Sequence, residues 1–304
     1  MINKTFYSIF QQGSRTYFYS SLFFPTSVKK DVFMLYGFVR KADNYVDSIP
    51  QERDKFYRFR DNYYRAMDGD ITGDIVIDSF AMLAQKKGFE KQWVDAFFHA
   101  MEMDLEKEHY ATLDETLEYI HGSAEVIGLM MGKIMGLRKE ALYHAKYLGR
   151  AMQYINFIRD IAEDLQFGRI YFPQPDLEQH GLAQLDYEYT KRHPERFTEF
   201  ISTQIKRYCN WQMEAEQGYR FIPKRYLISV KTAADMYNWT AKQIYNHPFI
   251  IYEWKVKPLI TQIMTTTLTN MINPKNRNNH VDFCMHRATN ATPVSYTHLR
   301  AHET

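Results

Sequence analysis

Asp43-Asn44-Tyr45-Val46-Asp47 and Asp160-Ile161-Ala162-Glu163-Asp164 decide the reading of this chain, because each sets two carboxylates four residues apart in a segment that otherwise reads as an apolar helix. Residues at that spacing sit one turn apart on one helix face. Each pair therefore aims two negative charges at one spot, where they repel unless a cation lies between them. Mg²⁺ is commonly held by one or two carboxylates together with substrate phosphate oxygens, so two facing pairs point to a cavity in which metal ions grip a diphosphate. The pairs start 117 positions apart (160 minus 43), so a helical bundle must bring two distant segments face to face.

The bare spacing is not selective, since it recurs at Asp70/Asp74 and Asp74/Asp78. Gly69 and Gly73 make that stretch turn-like, and a solvated loop is expected there. Context separates the two cases. At about 100° per residue, Gln153, Asn156, Asp160 and Asp164 fall within roughly 80°, while Ile155, Phe157, Ile158 and Ile161 occupy the rest of the helix. Tyr36, Arg40, Asp43 and Asp47 fall within about 60°, flanked by Val32, Phe33, Leu35, Phe38, Val39 and Val46. Both helices are expected to turn a narrow polar stripe toward a shared interior. The competing reading is a pair of amphipathic surface helices, whose solvated faces would carry more Lys and Glu.

With 304 residues, 45% hydrophobic and 16% aromatic, the chain can bury a large core. Helical periodicity runs through Lys30–Val46, Glu52–Met67, Ile75–Lys87, Lys91–Leu105, Leu113–Gly136, Lys139–Leu165, Pro194–Gln217, Ser229–Tyr245 and Pro258–Ile272, and strand-like alternation is scarce. An all-α fold is expected: one helical domain over residues 1–272, arranged around a central cavity. Residues 273–304 read as an irregular tail, and 295–304 resemble translated sequencing-adaptor DNA. The net charge of +2 comes with no basic block interleaved with aromatics, so no nucleic-acid partner is expected. Cys209 and Cys284 lack metal-ligand or redox spacing, which fits a reducing cytoplasm. The N-terminus lacks the apolar core of a signal peptide. No apolar run approaches the roughly 18 residues of a membrane span, and Val126–Leu137 is broken by Lys133. A peripheral contact at the inner membrane face remains compatible; for the apolar Pro258–Ile272 segment, core packing is the expectation.

Val39-Arg40-Lys41-Ala42-Asp43-Asn44-Tyr45-Val46-Asp47, the Gln153–Asp164 stretch and Gly168-Arg169-Ile170-Tyr171-Phe172-Pro173 together resemble the phytoene/squalene synthase family over about residues 13–272. Within it the likeness is to microbial phytoene synthases. The resemblance implies an isoprenoid-synthase bundle that condenses two prenyl diphosphates head to head through a cyclopropylcarbinyl diphosphate, using two or three Mg²⁺ ions. It further implies two geranylgeranyl diphosphates as substrates, phytoene as product and no NADPH. By the same resemblance, Asp43, Asp47, Asn156, Asp160 and Asp164 hold metal, with Gln153 ordering the cluster. Arg40, Arg159 and Arg169 neutralise diphosphate, and Ser14 and Arg15 lie in a flexible piece, Gly13–Tyr17, that covers substrate. Tyr17, Tyr119, Tyr171 and Tyr237 shield cations, since ring faces stabilise positive charge in a site from which water is excluded.

The chain departs from the family pattern at Asn44, where a second Asp is common, and at Ser123, where Val is common. For each tyrosine the alternative is a core residue with a satisfied hydroxyl, and for each arginine an ordinary ion pair with a nearby acid. Ala124, Gly128, Gly132 and Gly136 clear one helix face, either to wall a tunnel or to let two helices touch. A squalene or dehydrosqualene synthase using farnesyl diphosphate, a cyclase using one diphosphate and a non-catalytic assembly factor are the other functional readings.

Overall fold

A computed structural model describes residues 3–273 of the chain. Cys284 and the adaptor-like stretch 295–304 lie outside the described residues. In chain order the helices are α1 (Lys4–Gly13), α2 (Arg15–Ser21), α3 (Thr26–Val46), α4 (Arg53–Met67), α5 (Ile75–Lys87), α6 (Lys91–Glu106), α7 (Leu113–Ile120), α8 (Val126–Ile134), α9 (Lys139–Arg159), α10 (Ile161–Asp164), α11 (Gln174–Gln179), α12 (Tyr187–Thr190), α13 (Pro194–Glu216), α14 (Lys224–Asn246), α15 (Ile250–Glu253) and α16 (Ile260–Ile272). Two short strands, β1 (His109–Tyr110) and β2 (Ile170–Pro173), pair in parallel. They are too short to show a period of two in the sequence.

Local chemistry explains where the helices stop. α5 begins where Asp74 accepts a hydrogen bond from Val76 N at 3.0 Å, and it ends at Gly88, whose φ of 63° closes the last turn. Its bounds are those expected from the sequence. The first two helices were not legible, because Gln11-Gln12-Gly13-Ser14-Arg15 interrupts the apolar period. Ser14 separates them: its N–H donates to Phe10 O, and its hydroxyl accepts from Tyr17 N at 3.3 Å to start α2. The segment expected as a flexible cover is therefore a capped helix junction. Phe10 fixes it by stacking on Tyr36 at 3.8 Å and meeting Phe33 edge-on at 4.8 Å.

Two further expectations need correction. Leu113–Gly136 is not one helix: α7 passes through a π turn, His121–Glu125, into α8, and Gly136 lies beyond the end at φ 66°. Lys139–Leu165 breaks at Asp160 (φ −100°, ψ 12°), between α9 and α10. The i→i−4 bonds nonetheless continue, Asp160 N to Asn156 O and Asp164 N to Asp160 O, each 2.8 Å, so the acids stay one turn apart.

The core is continuous and aromatic. Phe38 on α3 stacks on Phe80 of α5 at 3.8 Å and meets Phe59 and Tyr63 of α4 at 4.9 and 5.3 Å, tying three helices at one point. α8 and α9 approach until backbones touch. A Cβ at Gly128 would lie 2.2 Å from Ala145 O, and one at Gly149 would lie 2.3 Å from Ala124 O. The small-residue stripe thus serves close helix contact, while Ala124 and Gly128 also face the cavity described below. α16 does not pack as expected: Ile263 is buried, but Leu259, Ile260, Met264, Leu268 and Met271 are exposed. The inner face is completed instead by Thr267 and Asn270, which leaves the larger apolar side chains outside.

Gly128→Ala should lower unfolding free energy by about 1–3 kcal/mol in urea titration, because a backbone carbonyl occupies the space the methyl needs. Gly136→Asn, with nothing within 4 Å of an added Cβ, should cost under about 1 kcal/mol.

Candidate active site

One cavity of about 720 Å³ runs between α2, α3, α6, α8, α9 and α14. Every residue singled out from the sequence lines it: Ser14, Arg15, Tyr17, Arg40, Asp43, Asp47, Tyr119, Gln153, Asn156, Arg159, Asp160, Asp164, Arg169, Tyr171 and Tyr237. The repeated spacing in the Asp70–Asp78 turn lies elsewhere. There Asp74 caps α5 and pairs with Lys41, and Asp78 accepts from Thr72 N and Gly73 N, both at 3.1 Å.

Asp43 lies in the last turn of α3 and Asp47 caps its C-terminus; Asp160 and Asp164 stand at the ends of α9 and α10. Helix C-termini concentrate unpaired carbonyls, and a carboxylate there costs about 0.3–1 kcal/mol. Burial, then the charge of Asp47, pushes the Asp43 carboxyl up to about 7, although Arg40 contacts it at 2.5 Å. Asp164 is also pushed well up, by burial and then by Asp160, Asp104 and Asp47. Asp160 moves the other way. Burial works against its charge, but Arg159 binds it through two hydrogen bonds of 2.8 and 2.5 Å, with Lys255 at 3.4 Å, and these hold it below the usual carboxylate range.

Arg169, 4% exposed, donates to Asp47 (2.8 Å), to Val46 O (2.8 Å) and to Asp104 O (3.0 Å). It closes the C-terminal ends of α3 and α6 and holds the start of β2 against them. Asp104 is a fifth acid that the sequence reading missed. Its carboxylate accepts from the hydroxyls of Tyr119 and Tyr171, each at 2.7 Å, and burial lifts it to about 6. The available signal was an acid amid the buried Met101, Met103 and Leu105 of an apolar helix. Lys255 and Lys257 also line the cavity and were missed, because Trp254-Lys255-Val256-Lys257-Pro258 has no helical period to place them.

The tyrosines form two groups. Tyr171 stacks on Phe157 (4.3 Å, 7°) and lies 4.9 Å from Tyr119. Tyr17 and Tyr237 sit 5.5 Å apart beside Arg159, and Tyr17 donates to Met152 Sδ at 3.4 Å. Arg15 is exposed at the rim, and the Ser14 hydroxyl is engaged as a cap. Asn44 is exposed and outside the lining, so the missing second Asp leaves the cavity unchanged. Ser123 does line it, with a buried hydroxyl lacking a partner.

Among the described residues no three His, Cys, Asp or Glu side chains form a ready-made metal cage. The donor set fits Mg²⁺ in another way. Hard carboxylate oxygens stand in pairs, and Asn156 Oδ1 is buried with no hydrogen-bond partner, a carbonyl oxygen free to accept a cation or its water. Arg40, Arg159, Lys255 and Lys257 surround them with charge suited to phosphate oxygens.

Comparison with known proteins follows this geometry. The family model described as Squalene/phytoene synthase matches residues 10–262. The 15-cis-phytoene synthase of Paracoccus sp. (strain N81106 / MBIC 01143) is 29% identical over 180 residues, which are 56% of this chain and 59% of that enzyme. The chain thus spans little more than half of that relative. The 15-cis-phytoene synthase of Pantoea ananas is 26% identical over 237 residues, 74% of this chain and 76% of the enzyme. The crystal structure of squalene synthase HpnC from Alicyclobacillus acidocaldarius superposes with a TM-score of 0.71 at 22% identity, covering 80% of this chain and 92% of that one. At that identity the superposition speaks to the fold.

The raised carboxyls set a pH dependence for the metal-free chain. Between about pH 4 and about pH 7 the folded state keeps protons on Asp43 and Asp104 that the unfolded state has released, so stability falls as pH rises through that window. Thermal midpoints in chelator should drop from about pH 5 to about pH 7.5, and Asp43→Asn should flatten the drop.

Proposed function

The chain belongs to the squalene/phytoene synthase family, and on that footing we propose that it joins two molecules of geranylgeranyl diphosphate head to head, through a cyclopropylcarbinyl diphosphate, to give phytoene and two diphosphates. The observation that carries this reading is the division of one cavity into two chemistries. At one end stand the acid pairs, Asn156 and the basic side chains; the rest is walled by Ile127, Met131, Ala141, Leu148 and their neighbours.

Asp43, Asp47, Asn156, Asp160 and Asp164 would hold Mg²⁺, with Gln153 beside them. Bound there, the ions would supply the positive charge that stabilises a departing diphosphate. Arg40 and Arg159 add fixed charge without needing to reorganise, because each is already held by an acid at the rim of the cavity. The ring faces of Tyr17 and Tyr237 lie near this end and would stabilise the allylic cation. Tyr119 and Tyr171 are held in place by Asp104, so their rings close the wall and exclude water.

The length of the apolar part supports a long substrate. Along α9 the lining continues from Asp160 back to Ala141, 19 residues, or about 28 Å at ~1.5 Å each. A sixteen-carbon backbone with bonds of about 1.5 Å extends to roughly 20 Å and fits within that span. A farnesyl chain would leave the inner end, at Met135, Leu137 and His144, without contacts.

Purified protein given Mg²⁺ and either geranylgeranyl or farnesyl diphosphate, with and without NADPH, should convert the longer substrate to phytoene with no need of the nucleotide. A squalene product that requires NADPH would overturn the choice of substrate. Asp43→Ala and Asp160→Ala should each lower kcat by about 10²–10³-fold or more with circular dichroism unchanged. Retained turnover in either would remove the metal role.

A further inference from the structure

Of the fourteen large apolar side chains exposed among the described residues, seven crowd into one stretch: Trp254, Leu259, Ile260, Met264, Leu268, Met271 and Ile272. No charged residue occurs between Lys257 and Lys275, so α16 carries none. Its inner face is fixed. Ile263, Thr267 and Asn270 are buried against α14 and α2, and Asn270 Nδ2 donates to Asp235 Oδ2 at 2.8 Å. Ile260, Met264, Leu268 and Met271 then share an outward sector of about 80°. An ordinary solvated helix face carries Lys and Glu at such positions.

A second copy of the chain is a poor match for this face. Thirteen residues make a helix ~20 Å long and ~10 Å wide, which offers about 200 Å², against roughly 800 Å² per partner in a stable dimer. A bilayer surface needs no matching shape. It favours this composition: an uncharged apolar face in the interfacial plane, an exposed aromatic at its edge and cations beside it. Trp254 is 60% exposed, and Lys257 and Arg15, both exposed, stand at either side of the α16 N-terminus and on the adjoining α2. The same two cations line the cavity, so its charged end opens beside this face.

We propose that the Trp254–Ile272 segment seats the protein on an anionic lipid surface, with α16 lying in the headgroup plane. In combination with the proposed reaction, this seat places the cavity where a water-insoluble hydrocarbon can leave directly into lipid.

The full chain, mixed with phosphatidylglycerol or phosphatidylcholine vesicles and floated on a density gradient, tests the seat without turnover. Wild type should float with the anionic vesicles and less with the neutral ones. Leu268→Glu combined with Ile272→Glu, both at well-exposed positions, should lower the partition coefficient at least about tenfold while circular dichroism stays unchanged. Met82→Glu on α5, where the side chain is 71% exposed, should bind like wild type. Absence of flotation, equal flotation of the double variant or equal loss in Met82→Glu would each overturn the proposal. A wild-type dimer in sedimentation velocity that the double variant dissolves would assign the face to a second copy and overturn it as well. A protein that floats but makes no hydrocarbon would defeat the proposed reaction and leave the seat standing.

Discussion

Too many like charges in too little water is the condition to which the rest of this structure answers. Five acids, Asp43, Asp47, Asp104, Asp160 and Asp164, line one cavity with only Arg40, Arg159 and Arg169 paired against them. At ~4 Å and an effective dielectric of about 20, two unit charges interact by about 4 kcal/mol, several times the helix-end term of 1 kcal/mol or less. Repulsion among the acids therefore dominates. One arginine per pair leaves a surplus of negative charge, which protons on Asp43, Asp104 and Asp164 relieve when no other cation is bound. A site tuned in this way has affinity for multivalent cations built into its electrostatics.

The remainder of the cavity solves the opposite problem, that of keeping a long apolar space open inside a close-packed protein. Side chains tend to fill such a space. Here α8 and α9 touch through Gly128, Gly132 and Gly149, so their larger side chains are turned along the crossing rather than into it. The aromatic cluster around Phe38 carries the packing between α3, α4, α5 and α6, on the side away from the acids. Rigidity is thus supplied at a distance from the space that must stay empty.

Much of this was legible in the sequence, and the exceptions share a cause. The long helices and both acid pairs were readable because a 3.6-residue period and an i, i+4 spacing are local patterns, as the agreement at Ile75–Lys87 illustrates. Asp104 escaped because one acid in an apolar helix has no partner in sequence; its partners, Tyr119 and Tyr171, lie 15 and 67 positions away. Arg169 was placed near the acids, but its hold on two helix ends depends on carbonyls, which every residue has. The α16 reading failed because hydrophobic periodicity identifies an apolar face and does not say whether the bundle covers it.

The π turn at His121–Glu125 has an effect on what the gene can tolerate. It holds one residue more than an α-turn needs, and that residue sets the rotation of α8 relative to α7. Deleting any single codon in the turn would restore a regular helix and swing all that follows by about 100°. Gly128 would then lose Ala145, while Tyr119 kept its place. Conservative substitutions in this stretch should be tolerated far better than a one-residue indel, which would put the wall of the cavity out of phase with its acids.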